Sequence, residues 1–283
     1  MGGVATPDLA IAVSDAGALG MLSGVVGGDA LAGQLDLVPD GATVGVNFLV
    51  PFLDREAVEI AAARTKYVEF FWAEPTHELI NLVHAGGALA GWQVGTHDEA
   101  RAAADAGCDV VVAQGVEAGG HVRGTIGLLP LLDEVCATVH VPIVASGGIG
   151  SGRAMAAALV AGADAVRVGT RFIAAIELGA HPDYIDALCG ATADDTVLST
   201  AFGVGWPDAP HRVLKSAIAA GTALGAAQAW TPDWPSTSDG TAVEARALYA
   251  GQSVGAVHER QPAAAIIEEM TARAETILRR SGR

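Results

Sequence analysis

Residues 109–121 read Asp-Val-Val-Val-Ala-Gln-Gly-Val-Glu-Ala-Gly-Gly-His. The run from Val110 to Ala113 is apolar without alternation, so both faces of the segment are buried, as in a parallel sheet covered by helices. It ends in a glutamine and a glycine-bearing loop, and a helical pattern follows from Leu128 to Thr138. The same unit recurs downstream. Pro142-Ile143-Val144-Ala145-Ser146-Gly147-Gly148 leads to a helix at Ser151, and Ala165-Val166-Arg167-Val168-Gly169-Thr170 comes next. Upstream, Leu19–Ser23, Thr43–Leu49, Tyr67–Trp72 and Leu89–Val94 each precede a helical stretch, at intervals of about 20–25 residues. Thr96-His97-Asp98-Glu99 is a capping box opening one of these helices.

Strand–helix repetition on this rhythm specifies α/β architecture. Seven barrel-type strands are legible, whereas a (β/α)8 barrel has eight. Ahead of the first lies a helix over Pro7–Ala16, with Thr6 and Pro7 as N-cap and first-turn residues, but no strand to feed it. The prediction is an α/β TIM barrel lacking its first strand, with strands two to eight in residues 1–175. Residues 176–283 are read as a cap segment and a C-terminal helix packed on the barrel. An open doubly wound sheet of seven strands is the alternative. In the cap, His181–Leu188 and Val213–Ala227 read as helices, Thr196–Phe202 as a strand, Gln228–Thr241 as a loop and Pro262–Arg280 as an amphipathic terminal helix.

Composition narrows the function. The chain has 283 residues, a net charge of −16 and three cysteines. So acidic a protein lacks the cationic field that nucleic acid or anionic membrane surfaces require. Cys108, Cys136 and Cys189 show no short repeated spacing, which argues against a disulfide framework or a zinc site and for a reducing compartment. No metal is expected. No apolar run reaches the roughly 18 residues of a membrane span, and Met1-Gly2-Gly3 does not begin a signal core. The expectation is a cytoplasmic protein, with a homo-oligomer left open. Glycine numbers 36, against an average of about 7% of residues; the excess points to tight turns and to backbone approaching a ligand.

In parallel α/β folds ligands bind beyond the carboxyl ends of the strands, and the informative residues fall there. Ser146-Gly147-Gly148-Ile149-Gly150 and Val168-Gly169-Thr170-Arg171 end neighbouring strands with small residues whose N–H groups make an anion cradle. The pattern has neither a GxGxxG fingerprint nor a Walker lysine, so no Rossmann or P-loop reading follows. Gln114 stands at a strand end, suited to a heteroaromatic edge or to backbone, and the glycine-rich loop after it delivers His121 over the same face. Histidine titrates near neutrality and serves as a general base. Asn47 interrupts an apolar strand and needs a hydrogen-bond partner. Glu117 is either a partner of His121 or solvated. Trp206, Trp230 and Trp234 offer a lid or ordinary packing.

Several ordered motifs carry a family resemblance. They are the Met-Gly-Gly start, Val-Asn-Phe at Asn47, Ala-Gln-Gly-Val-Glu-Ala-Gly-Gly-His ending at His121, Ser-Gly-Gly-Ile at 146–149, Val-Gly-Thr-Arg-Phe at 168–172 and Tyr-Ala-Gly-Gln-Ser at 249–253. From end to end the chain resembles the nitronate monooxygenases. That resemblance implies an FMN-binding TIM barrel with a C-terminal cap that oxidises alkyl nitronates with dioxygen to carbonyl compounds and nitrite. Carried over, Met1, Gly2 and Gly3 would contact the flavin through backbone, Asn47 and Gln114 would bond it, and Gly119 would lie beside it. Gly148 and the run Arg167, Val168, Gly169 and Thr170 would hold its phosphate, and His121 would be the base. Many members have Gln-Met-Gly-Thr where this chain has Arg-Val-Gly-Thr, so a glutamine side-chain contact is replaced. The same loop also resembles flavin-dependent enoyl-acyl-carrier-protein reductases and NAD(P)H:quinone reductases. A flavin-binding barrel without turnover is the third alternative.

Overall fold

The computed structural model describes residues 4–225, 233–237, 240–280 and 282. Met1, Gly2, Gly3 and Trp230 therefore lie outside the described residues, as does part of the loop expected over Gln228–Thr241.

Helix α1 (Pro7–Asp15) opens on the Thr6 cap, whose hydroxyl accepts from Leu9 N–H. Then strand and helix alternate: β1 (Gly20–Ser23), α2 (Gly28–Leu35), β2 (Val44–Leu49), α3 (Arg55–Arg64), β3 (Tyr67–Phe71), α4 (His77–Gly86), β4 (Leu89–Val94), α5 (His97–Asp105) and β5 (Val110–Gln114). A two-residue strand, β6 (Gly120–His121), leaves this rhythm before α6 (Leu128–Thr138), β7 (Ile143–Ser146), α7 (Gly152–Val160), β8 (Ala165–Arg167) and α8 (Thr170–Ile173). All seven expected barrel strands are present. They pair in parallel in the order β1-β2-β3-β4-β5-β7-β8.

That order excludes the doubly wound alternative, because a doubly wound sheet reverses its strand order at a switch point, whereas this one advances in a single direction. The sheet also curls. Arg167 on β8 bonds Glu69 on β3 and, at 3.0 Å, Gln93 on β4. Neighbouring strands lie about 4.8 Å apart, so in a flat sheet β8 would stand about 14 Å from β4 and about 19 Å from β3, beyond an arginine's reach. The seven strands therefore form an open TIM-like barrel. Among the described residues β1 and β8 are not paired with each other, and the opening between them is flanked by α1 and α11 (Ala263–Arg280), which packs on both α7 and α1.

Beyond the barrel, α9 (Pro182–Cys189) matches the expected helix closely, and β9 (Thr196–Ser199) forms the expected strand but ends three residues short of Phe202. The helix expected from Val213 is corrected. His211–Leu214 form strand β10, and helix α10 runs Lys215–Leu224. The segment is drawn into a sheet because β10 pairs with β9 on one side and β6 on the other, and the His211–Leu214 stretch is fully buried. This small antiparallel sheet, β6-β10-β9, fixes the loop carrying His121 over the barrel mouth. None of the described helices is long and apolar enough to cross a membrane.

Candidate active site

The seven parallel strands carry a set of polar side chains: Ser23, Gln114, Ser146 and Arg167 end β1, β5, β7 and β8, and Asn47, Glu69 and Gln93 lie within β2, β3 and β4. All but Arg167 are buried; the Arg167 side chain keeps 19% exposure. Six of them, Ser23 apart, line a cavity of about 820 Å³, within the size range of small-molecule sites. Paired strand residues share a level, which brings residues far apart in the chain into two rows: Ser23, Asn47 and Glu69 stand side by side in one, and Gln114, Ser146 and Arg167 in the other.

Most of this floor is satisfied internally. The Glu69 carboxylate accepts from Asn47 Nδ2 at 2.7 Å, Tyr67 Oη at 3.0 Å and the Arg167 guanidinium. Burial, and then the Glu69 charge, push the Tyr67 phenol well above its ordinary range. Burial works against the Arg167 charge, but the Glu69 carboxylate outweighs it and raises the guanidinium's pKa further. The Arg167 side chain is thus committed to the barrel interior, and only its backbone remains for the expected phosphate cradle.

One atom is left over. Gln114 donates through Nε2 to the His121 carbonyl at 3.0 Å, which fixes the amide so that Oε1 faces away from that bond; Oε1 is buried and has no partner among the described residues. An unpaired buried acceptor is costly, and Gln114 borders the cavity, so a ligand N–H that reached this oxygen would relieve the cost. Five glycines, Gly119, Gly120, Gly147, Gly148 and Gly169, line the same cavity. Gly147 and Gly148 have φ of 101° and 69°. Successive left-handed residues need glycine and let backbone approach a bound group closely. At Gly119 a Cβ would run into Gly251 N. Thr170 pins that same residue, its hydroxyl accepting from Gly251 N–H at 2.9 Å. The set suits a heteroaromatic ring with an N–H edge at Gln114 and an anionic tail at the glycines of the β7 and β8 ends.

His121 lies above this floor, on β6. Its ring stacks on Trp206 at 4.4 Å, meets the Trp72 edge at 5.8 Å and stands 5.2 Å from His211 and 6.1 Å from Tyr249. Trp72 is held in a left-handed conformation, φ 73°, uncommon for a bulky residue. No hydrogen bond to the His121 ring is found among the described residues. Burial, and secondarily His211, pull its pKa down to about 3. His211 is fully buried; its Nε2 accepts from Phe202 N–H at 3.2 Å, so Nδ1 must donate to the Ala209 carbonyl at 3.0 Å. That tautomer is neutral.

The structure therefore brings together Asn47, Gln114, Gly119, His121, Gly148, Arg167, Val168, Gly169 and Thr170 around one cavity. Glu117 turns from His121 to cap α6, accepting from Leu128 N–H at 3.0 Å. Sequence reading missed Glu69 and Gln93, although Glu69 is a lone charge in an apolar strand, the same signal that singled out Asn47. It left Trp206 as either a lid or ordinary packing and did not connect it with His121.

The sequence model of the family described as nitronate monooxygenase matches residues 41–273. The nitronate monooxygenase of Pseudomonas aeruginosa is 32% identical, over 95% of this chain and 90% of its own. The nitronate monooxygenase npaC of Metarhizium robertsii is 31% identical, over 96% and 88%. Among solved structures, FabK from Thermotoga maritima is similar with a TM-score of 0.84 at 31% identity, covering 100% of this chain and 93% of that one. A nitroalkane oxidase from Streptomyces ansochromogenes is similar with a TM-score of 0.78 at 29% identity, covering 98% and 95%.

Proposed function

The chain belongs to the nitronate monooxygenase family, and from that premise we propose that it binds FMN at the strand ends and oxidises alkyl nitronates with dioxygen to carbonyl compounds and nitrite. The observation that carries the reading is the coupling of Gln114 to His121: one amide holds the histidine's backbone and offers a buried, unpartnered acceptor to a ligand in the same cavity. Gln114 would receive an N–H of the flavin, Gly147, Gly148, Gly169 and the N–H of Thr170 would hold its phosphate, and Asn47 and Gly119 would line it. The backbone of Arg167 and Val168 adjoins the same cradle, and Met1, Gly2 and Gly3 would add backbone contacts. Bound FMN supplies the electron-transfer chemistry that the side chains lack.

His121 is neutral at working pH and ready to accept a proton or a hydrogen bond. Its surroundings are largely aromatic and, among the described residues, offer its conjugate acid no carboxylate. An anion bound beside it reverses that balance, because an opposite charge favours the protonated form. His121 thus favours substrates that are, or become, anionic next to it. His121→Asn should leave FMN bound and abolish turnover of neutral nitroalkanes, read as nitrite release; unchanged turnover would remove His121 from the mechanism.

The similarity to FabK supports a second reading, a flavin-dependent reductase using a pyridine nucleotide and a quinone or enoyl thioester. Anaerobic mixing with NADH separates the two. Rapid bleaching of the flavin band favours the reductase, and bleaching only by nitronate favours the oxidation. A purified protein that takes up no FMN would fit neither.

A further inference from the structure

The cavity floor holds an ion pair for which the proposed reaction has no use. Arg167 spans the barrel from β8, and a single nitrogen, Nη1, makes both of its hydrogen bonds among the described residues, to Glu69 and Gln93. Its Nε and Nη2 have no partner among the described residues, and the side chain borders the cavity. Glu69 is arranged the opposite way: it is 1% exposed and its carboxylate already receives Asn47, Tyr67 and Arg167. The negative member is enclosed and saturated, whereas the positive member keeps 19% of its side chain exposed and two nitrogens without a partner among the described residues. Ser146 is paired with both Gln114 and Arg167 in the sheet, so the backbones of Arg167 and Gln114 share a row, and both side chains border the same cavity.

We propose that Arg167 is a positioning residue that stabilises the reduced form of the bound flavin, and that Glu69 sets how much of its charge the flavin feels. The proposal rests on the FMN reading above. Two-electron reduction with uptake of one proton adds one negative charge to the flavin ring system. A fixed guanidinium in a low-dielectric cavity favours that state over the neutral oxidised one. The carboxylate behind it attenuates the effect, so altering the two partners must move the preference in opposite directions.

The test is the ratio of affinities for reduced and oxidised FMN, obtained from the midpoint potential of the FMN-loaded protein measured anaerobically without substrate. Arg167→Gln should lower the preference for reduced FMN about tenfold, which for a two-electron couple is about 30 mV. Glu69→Gln should raise it by a similar factor, and Arg167→Lys should restore most of the wild-type ratio. A purely structural role would weaken both redox forms together and move both variants the same way. Equal ratios in all variants, shifts of the same sign, or an Arg167→Gln defect confined to nitronate binding would overturn the proposal. If Arg167→Gln does not fold, the direction of the Glu69→Gln shift decides. A wild-type protein that binds no FMN would instead overturn the cofactor reading on which the proposal stands.

Discussion

The imidazole of His121 sits between two indoles and a second histidine, and these neighbours carry no charge to support a proton. Its depressed pKa has a consequence for stability. In the unfolded chain the ring titrates near 6.5, whereas in the folded protein it stays neutral down to about 3. Between these values the unfolded state binds more protons, so stability is fully present above about 6.5 and falls as the pH drops through that window. From pH 7 to pH 5 this amounts to at most about 2 kcal/mol. His211, which faces His121 from β10, is shifted the same way by burial and contributes separately. Urea midpoints at pH 7 and pH 5 should therefore lie closer together in His121→Asn than in wild type. An identical pH dependence in both proteins would show that the ring is not held neutral. At this scale sequence reading did well where the signal was local. His121 and Gln114 share one short segment, but the Trp206 stack joins residues 85 positions apart and leaves no trace in either neighbourhood.

At the level of elements, the strands were legible because each is apolar on both faces, and the helices because their caps are written in Thr6, Thr76, Thr96 and Ser151. What misled was β10. His-Arg-Val-Leu runs into Lys-Ser-Ala-Ile without a turn signal, so a helical period extends back over residues that only the edges of β6 and β9 convert to strand. Helix packing yields a sharper test. Gly152, the first residue of α7, lets α11 come close: a Cβ there would lie 2.5 Å from the Met270 carbonyl oxygen, 2.6 Å from Arg273 Cβ and 2.9 Å from Ala274 N. Two of these three atoms are backbone, so relief requires the helices to separate. Overpacking of this kind costs about 1–3 kcal/mol. Gly152→Ala should lower the urea midpoint accordingly, although alanine is the better helix former; a midpoint equal to or above wild type would mean that the α7–α11 interface is loose.

For the molecule as a whole, curvature is the property that sequence could not supply. Seven strands and their order follow from the repeat, yet an open sheet and a curled one share that repeat. The cross-barrel bonds of Arg167 connect residues 98 and 74 positions apart. Arg167 was singled out in the chain and Glu69 was not, and nothing local paired them. Because β1 and β8 are unpaired among the described residues, the Arg167–Glu69–Gln93 group is a brace from the last strand to the opposite wall. Removing one member of a buried ion pair strands the other and costs about 3–5 kcal/mol, whereas replacing both with apolar groups of similar volume is far less costly. Arg167→Met and Glu69→Leu should each destabilise the protein by about that amount in urea unfolding, and the double variant should recover most of the loss. Strictly additive losses would mean that the two side chains act independently and that the curl is maintained elsewhere. A double variant that keeps its stability but loses the preference for reduced FMN would separate the brace from the electrostatic role, since packing can replace the first and only a charge can supply the second.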